Sequence, residues 1–476
     1  MVTNMTEGRE QFSSRLGFIL AATGSAVGIG NLVGFPVAAT KGGGGAFLLL
    51  YAMFVVFICI PVMMAELSLG RRTQKDPIGA YLKEAGAGSP WRIAGLLSVI
   101  TPFMIAVFYM VITVWIFGYF IEIVLGNLDT LAKSETFSVF INSNKVFVYL
   151  VIVAVFLNVI LLSGVKNGIE RAAKIMMPAL FLLLLGLVIF VLTLDNAVLG
   201  LRYYLIPDFS KVDAFVVNSA LSQAFFSLSL GMGILITYGS YVDRGESLAD
   251  NAKLVAMADS AVAFFAGLMI LPAIFALNPK ANTEDLTDSS VGMMFSYLPK
   301  IFMALESSVG YVGASVVAAI FFLLVFFAAI TSLVSITEVP TSSFIDTLGL
   351  SRKKALIWLV SVMGLLTVAC IVSFGMVDGL TAFIEYGDMK KSFFDVVVDI
   401  FYDTILPLNG LLICLFARYR WKNSLDDELG RGDNGYEGSL TKRYVDISLA
   451  TLIPIILLLV FINTVAQKYF AFTIIG

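Results

Sequence analysis

Apolar residues run along this chain in long blocks parted by short polar breaks. The blocks lie near 14–38, 45–69, 94–125, 146–163, 174–194, 215–242, 254–277, 311–346, 355–374, 392–416 and 446–467. Each approaches the roughly 20 apolar residues that a helix needs to cross a bilayer. In lipid every backbone polar group must pair within its own segment, so helices are the expected form. The short alternating strands of a membrane barrel are absent from the pattern. The pattern predicts an all-α membrane protein of eleven transmembrane helices. Two breaks are long. Residues 278–310 hold NTEDLTDSS and then an apolar stretch, and read either as a lid over an outer vestibule or as a helix lying on the outer face. Residues 417–444, with DDELGRGDNGYEG, read as a solvated linker.

Two of the eleven blocks are interrupted from within. The first contains Ala21-Ala22-Thr23-Gly24-Ser25-Ala26-Val27-Gly28-Ile29-Gly30-Asn31, and the sixth contains Ser227-Leu228-Ser229-Leu230-Gly231-Met232-Gly233. Glycines and small hydroxyls at mid-membrane depth weaken a helix. Gly24 and Gly28 alone fit a small-residue packing motif. Asn31 in the same block, and a second break five spans later, point instead to unwound turns. Such turns free carbonyls for a cation and aim half-helix N-termini at an anionic group. Two halves that each open on a broken helix are the signature of an inverted-repeat transporter.

Composition narrows the class further. Of 476 residues 59% are hydrophobic and only 14% charged, against about 25% charged in an average soluble domain. That excludes a soluble enzyme, a nucleic-acid binder and a disordered chain, and a net charge of −3 names no partner. The chain has no histidine, which removes histidine metal sites, bases and proton relays. Cys59, Cys370 and Cys414 all lie in apolar blocks and read as small buried hydrophobes. With the N-terminus inside, 21 of the 31 Lys and Arg fall on the inner side and 10 on the outer, the bias expected of a cytoplasmic N-terminus. An odd number of spans then places the C-terminus outside. The polar start, residues 1–13, reads as a cytoplasmic tail rather than a cleaved leader.

Three intramembrane positions carry candidate chemistry. Asp259 lies in span 7, where a carboxylate is costly unless paired or ligating. Thr331 and Ser332 follow Ala328 in span 8 and set two hydroxyls and a carbonyl on about one turn. Sodium, a hard ion, takes oxygen ligands of that kind, as hard divalent ions do. Glu66 in span 2 reads as structural, bonded to the unwound part of span 6.

These residues sit within a larger resemblance. Arg15-Leu16-Gly17-Phe18-Ile19-Leu20, Gly24 to Asn31 and Phe35-Pro36 resemble the first helix of the neurotransmitter:sodium symporters. So do Gly42-Gly43-Gly44-Gly45-Ala46-Phe47, Gly168-Ile169-Glu170-Arg171 with Lys174-Ile175-Met176-Met177-Pro178, and Gln223-Ala224-Phe225-Phe226-Ser227-Leu228-Ser229. The motifs run from residue 9 to residue 410. The eleven-span form is similar to bacterial members, which import amino acids with sodium. The resemblance implies the leucine-transporter fold. It gives a tail (1–13), a first five-helix repeat (14–194), an outer loop (195–214), a second repeat (215–416, with the outer loop 278–310), a cytoplasmic loop (417–445), and helix 11 with an outer C-terminus (446–476).

The resemblance also implies a site. One sodium ion would take the carbonyl of Ala26, Asn31, Ser227, Asp259 and the substrate carboxylate. A second would take the carbonyls of Gly24, Val27 and Ala328 with the hydroxyls of Thr331 and Ser332. The substrate would lie among Ser25, Ala26, Ile29, Gly30, Ile105, Tyr109, Phe226, Ser227, Ser229, Met232, Ser332 and Ile336. Tyr109 and Phe226 would form an outer lid, and Arg9 with Asp346, supported by Tyr241, an inner gate. Implied partners are an amino acid, two sodium ions and the lipid bilayer of a bacterial cytoplasmic membrane. No organic cofactor, nucleic acid or protein partner is expected, and no enzymatic activity.

Four departures from the family pattern refine this. The family's span 7 ligand, usually Asn, is Asp259, and the carboxylate position one turn on is Ala263. Asp259 is therefore expected to supply the negative charge itself, with Tyr51, Gln223 and Ser227 around it, so that transport needs no chloride. The outer gate pair is missing: Gly34 stands for its Arg and Val398 for its Asp, flanked by Asp395 and Asp399. Gly28 stands where amine carriers have Asp, which favours an amino acid whose own carboxylate fills that role. Met232 replaces a bulky aromatic, suggesting room for a hydrophobic or aromatic side chain. A proton-coupled exchanger or a sensor that binds without flux remain the alternatives on the same scaffold.

Overall fold

The computed structural model describes residues 9–133, 135–279, 290–433, 435–472 and 474. Among them the regular elements are helices except for one hairpin, Ile384–Tyr386 paired antiparallel with Met389–Lys391. Among the described residues nine helices are long and apolar enough to cross a membrane, and the bent pair Arg15–Ala26 and Gly30–Lys41, at 55°, makes ten. The remaining expected span is also interrupted. It consists of Ala214–Ser227 and Ile234–Gly239, and neither piece has the length to cross alone. The count by length and composition is thus ten rather than eleven, because the sixth block is broken.

The broken spans lie at the centre. Spans 3 and 8, Arg92–Val124 and Glu306–Leu348, pack along one another beside them, with long faces buried. Spans 4 (Lys145–Leu162), 9 (Arg352–Val372) and 11 (Leu440–Phe470) turn many apolar side chains outward, as Val155, Leu365 and Ile455 show. That is the order a bilayer demands: lipid meets the apolar perimeter, and small and polar groups go to the middle. Several spans carry π-helical turns, including Val55–Cys59, Val165–Glu170 and Val398–Ile405. These turns use i→i+5 bonds and concentrate at functional sites.

The inner end, taken as the end that carries Arg9, is closed by charge. Arg9 pairs with Asp346, donates to Ser240 Oγ at 2.8 Å and lies 4.9 Å over the Tyr241 ring. Tyr241 in turn donates to Glu338 at 2.9 Å, and Glu338 pairs with Arg352.

The segment 417–444 is not the solvated linker its charges suggested. Its helix Lys422–Gly430 buries Leu425, Glu428 and Leu429 on one face. Arg71, at the inner end of span 2, meets Glu428 at 2.6 Å with both side chains fully buried. Arg71 also donates to the carbonyls of Glu428 and Glu246. Trp421 and Tyr436 are buried as well. The apolar pair four residues apart was present within the acidic run, and it decides the outcome.

At the opposite end, Met293–Tyr297 and Leu298–Ala304 pack against spans 3 and 8: Phe295 contacts Trp115, Tyr119 and Phe322, and Phe302 contacts Phe321. The NTEDLTDSS run falls almost wholly outside the described residues.

Candidate functional site

Span 1 unwinds at Val27–Ile29 and resumes as the π turn Gly30–Gly34. Span 6 stops at Ser227 and resumes at Ile234. Between these points Ser229, Gly231 and Gly233 all have positive φ, at 55°, 75° and 65°. Positive φ is ordinary for glycine but unfavourable for serine, and such conformations gather at ligand sites. The two breaks face each other, and Ser229 Oγ donates to the Ser25 carbonyl at 3.1 Å. The span 6 turn is held from behind by two side chains. Gly231 N–H donates to Glu66 Oε1 at 2.7 Å, the structural role expected of Glu66, and Asn409 Nδ2 donates to the Gly231 carbonyl at 3.0 Å.

On one side of the breaks lies Asp259. It is fully buried and so is not a snorkelling helix end. Asn31 Nδ2 donates to Asp259 Oδ1 at 2.7 Å, and Ser227 Oγ and Tyr51 Oη donate to Oδ2 at 2.8 and 3.3 Å. Asn31 Nδ2 also donates to Ser227 Oγ at 2.8 Å, while its Oδ1 accepts from Gly28 N at 3.0 Å. A buried carboxylate with three neutral donors and, among the described residues, no lysine or arginine paired with it offers a place for a cation. Gln223, expected beside this carboxylate, instead donates to the Gly30 carbonyl at 2.9 Å. Gly30 opens the π turn, and its carbonyl accepts from both the Phe35 N–H and the Gln223 amide.

On the other side lies a neutral oxygen cluster. Ser332 Oγ is 3.1 Å from the Val27 carbonyl, 3.5 Å from that of Gly24 and 3.1 Å from that of Ala328. Thr331 Oγ1 is 3.1 Å from the same Ala328 carbonyl. Each hydroxyl has one proton to give, so the carbonyls converging here outnumber the donors. Carbonyl and hydroxyl oxygens in that ratio suit a small hard cation. Among the described residues no group of three or more Cys, Asp or Glu is arranged to hold a metal ion.

A cavity separates and joins the two clusters. It is lined by Ser25, Ala26, Gly28, Gly30, Asn31, Ile105, Tyr109, Gln223, Phe226, Ser227, Ser229, Met232, Ser332, Ile336 and Tyr402. The structure thus brings together the residues expected to meet a substrate, with one exception. Ile29 is absent from the lining because its contribution is backbone: its N–H donates to Tyr109 Oη at 3.3 Å. Gly28 is required sterically, since a Cβ there would stand 2.7 Å from Tyr109 Oη and 3.0 Å from Ser332 Oγ. An aspartate in its place would displace the tyrosine. The lining residue not anticipated from sequence is Tyr402, whose ring stacks on Phe226 at 4.5 Å and 20°. Of the two acids flanking Val398, Asp395 caps its own helix through Ser392, and Asp399 turns to Lys391, Lys468 and Tyr386.

Comparison with known proteins adds the lineage. The family model described as "Sodium:neurotransmitter symporter family" matches residues 9–139 and 137–472. The chain is 32% identical over 473 residues to an uncharacterized sodium-dependent transporter of Bacillus subtilis, YhdH, covering 96% of this chain and 97% of that protein. It is 36% identical over 363 residues to one of Methanocaldococcus jannaschii, MJ1319, covering 73% and 72%. Among solved structures, that of MhsT in complex with L-phenylalanine matches with a TM-score of 0.81 and 40% identity, over 96% of this chain and 99% of that one. The leucine-transporter fold implied by the resemblance is the fold of this molecule. With its two unwound spans, its buried oxygen clusters and a family match along nearly all its length, the chain belongs to the sodium:neurotransmitter symporter family.

Proposed function

We propose that this chain is a sodium-coupled symporter that imports a neutral amino acid with a hydrophobic or aromatic side chain by alternating access. In this reading it sits in a bacterial cytoplasmic membrane with its N-terminus inside, and its two repeats rock about the cavity. The observation that carries the reading is the pairing of a buried carboxylate cluster and a neutral oxygen cluster on opposite sides of one cavity at the breaks of spans 1 and 6. The L-phenylalanine complex of a relative 40% identical supports the substrate class.

One sodium ion binds Asp259, Ser227, Asn31 and the Ala26 carbonyl, with the substrate carboxylate as a further ligand. Asn31 turns its amide so that its oxygen replaces the N–H now facing Asp259. The second ion binds the Gly24, Val27 and Ala328 carbonyls with Thr331 and Ser332. Tyr109 meets the substrate carboxylate, and Ile105, Met232, Phe226 and Ile336 meet its side chain. An ion and a substrate that share a ligand raise each other's affinity by the same factor, which is the coupling that uphill uptake needs. Asp259 already supplies a negative charge, so chloride is dispensable. Opening of the Arg9–Asp346 gate then releases the load inward.

Uptake into proteoliposomes under an inward sodium gradient, competed with each of the twenty amino acids, tests this. Accumulation blocked best by apolar and aromatic amino acids, and indifferent to chloride replacement, is the expected result. Binding without flux would make the chain a sensor, and accumulation driven by a proton gradient with potassium in place of sodium would make it an exchanger.

A further inference from the structure

The outer end lacks the charged pair that would cross the vestibule, yet a compact ion cluster stands beside it. Lys468, at the end of span 11, donates to Asp399 Oδ1 at 2.7 Å and to Asp403 Oδ2 at 2.8 Å. Lys391 of the hairpin stands 3.4 Å from Asp399 Oδ2, and Tyr386 Oη donates to the same atom at 2.9 Å. Asp399 is 5% exposed. Two cations answer two carboxylates, and Lys468 is the one that reaches both, so its removal leaves Asp403 without the cation that pairs it. The hairpin turn presses on the same lysine: a Cβ on Gly387 would lie 2.5 Å from the Lys468 carbonyl oxygen. Tyr386 stacks on Tyr469 at 5.2 Å.

Tyr402 lies between the two clamped acids. The stretch Val398–Ile405 is π-helical. A π turn takes more residues than an α turn, so Asp399 and Asp403, four apart, come close to one line. Tyr402 is rotated farther off that line than an α-helix would put it. The acids can then face Lys468 while the ring faces the cavity, where it stacks on Phe226 and meets the edge of Phe108 at 5.7 Å.

We propose that Tyr402 is a specificity-determining roof residue that contacts the substrate side chain, and that the Asp399–Lys468–Asp403 clamp is the positioning device that holds it there. The outer side is then closed by a clamped aromatic pair, Phe226 and Tyr402, rather than by a salt bridge drawn across the opening. This rests on the amino-acid reading above, since the roof has meaning only if a side chain lies beneath it.

The test measures Kd for L-phenylalanine and L-leucine on the purified full chain in sodium. Tyr402→Leu is expected to weaken L-phenylalanine by about tenfold and L-leucine by much less, because a stacking surface is lost. Lys468→Met is expected to shift the phenylalanine-to-leucine ratio the same way, and Lys468→Arg to restore it. In the Tyr402→Leu background Lys468→Met should add nothing to that ratio, the mark of residues acting through one another. A ratio unchanged in both single variants, or lowered melting temperature with no change of ratio, would overturn the inference and leave the transporter reading standing. Failure of the unaltered chain to bind either amino acid in sodium would overturn the reading itself, and the inference with it.

Discussion

The two oxygen clusters flanking the cavity are made of opposite materials. One is organised around a formal charge: Asp259, fully buried, accepting from Asn31, Ser227 and Tyr51. The other has no formal charge, only the dipoles of Gly24, Val27 and Ala328 gathered about two hydroxyls. A charged site holds its ion by Coulomb attraction strengthened by burial, and tolerates some change of geometry. A neutral site depends on how many dipoles converge and how closely. The first cluster also opens on the cavity through Asn31 and Ser227, so it is the one placed to sense an anionic substrate group.

This contrast ranks the expected effects of breaking each cluster. The largest loss is expected at the charged one. Asp259→Ala removes the carboxylate and strands three donors, a change of the kind that costs about 3–5 kcal/mol. Sodium titration of L-phenylalanine binding should move its midpoint by about a hundredfold or more. A midpoint shifted less than that would remove Asp259 from the ion's ligands. At the neutral cluster, Thr331→Ala with Ser332→Ala deletes two dipoles but no charge, an expected cost of about 2–3 kcal/mol. The Hill coefficient for sodium should fall from about two to about one, since one site remains. A coefficient that stays put would mean no ion binds there. The smallest effect sharpens the comparison most. Asp259→Asn keeps the shape and deletes only the charge, so added chloride should restore part of the sodium-driven uptake. Uptake by that variant equal to the unaltered chain's, with or without chloride, would show that charge is not what the first cluster contributes.

The same division separates what could be read from the sequence and what could not. The spans were legible because bilayer thickness imposes a block length that soluble folds do not have. The broken spans were legible because glycine and serine stand out in a field of Leu, Val and Ile; Ser229 and Gly231 indeed hold the positive φ values of the turn. Asp259 was legible because a lone acid in an apolar span calls for a partner, and the family resemblance put it in one expected ion site with Asn31 and Ser227, which donate to it here. Tyr402 was not legible. In a chain that is 13% aromatic, one more tyrosine in an apolar span carries no signal. Only the π turn and its clamp aim it at the cavity. The docked inner loop failed for a different reason. Its acids dominate the composition, while burial is decided by Leu425 and Leu429, whose spacing was outweighed by the charges around them. The bond from Gln223 to the Gly30 carbonyl was not legible either, because the π turn that places that carbonyl leaves no pattern in the sequence.

The central claim is that an ion beside Asp259 and the substrate's acid group are ligands of one another. The most direct measurement compares L-phenylalanine with its carboxamide, which keeps the ring and amine and loses the acid charge, by titrating each in sodium and in choline. The account predicts that sodium raises the affinity for L-phenylalanine by tenfold or more, corresponding to a coupling of about 1.4 kcal/mol, and barely changes that for the carboxamide. Equal sodium dependence for both compounds, or none for either, would contradict it.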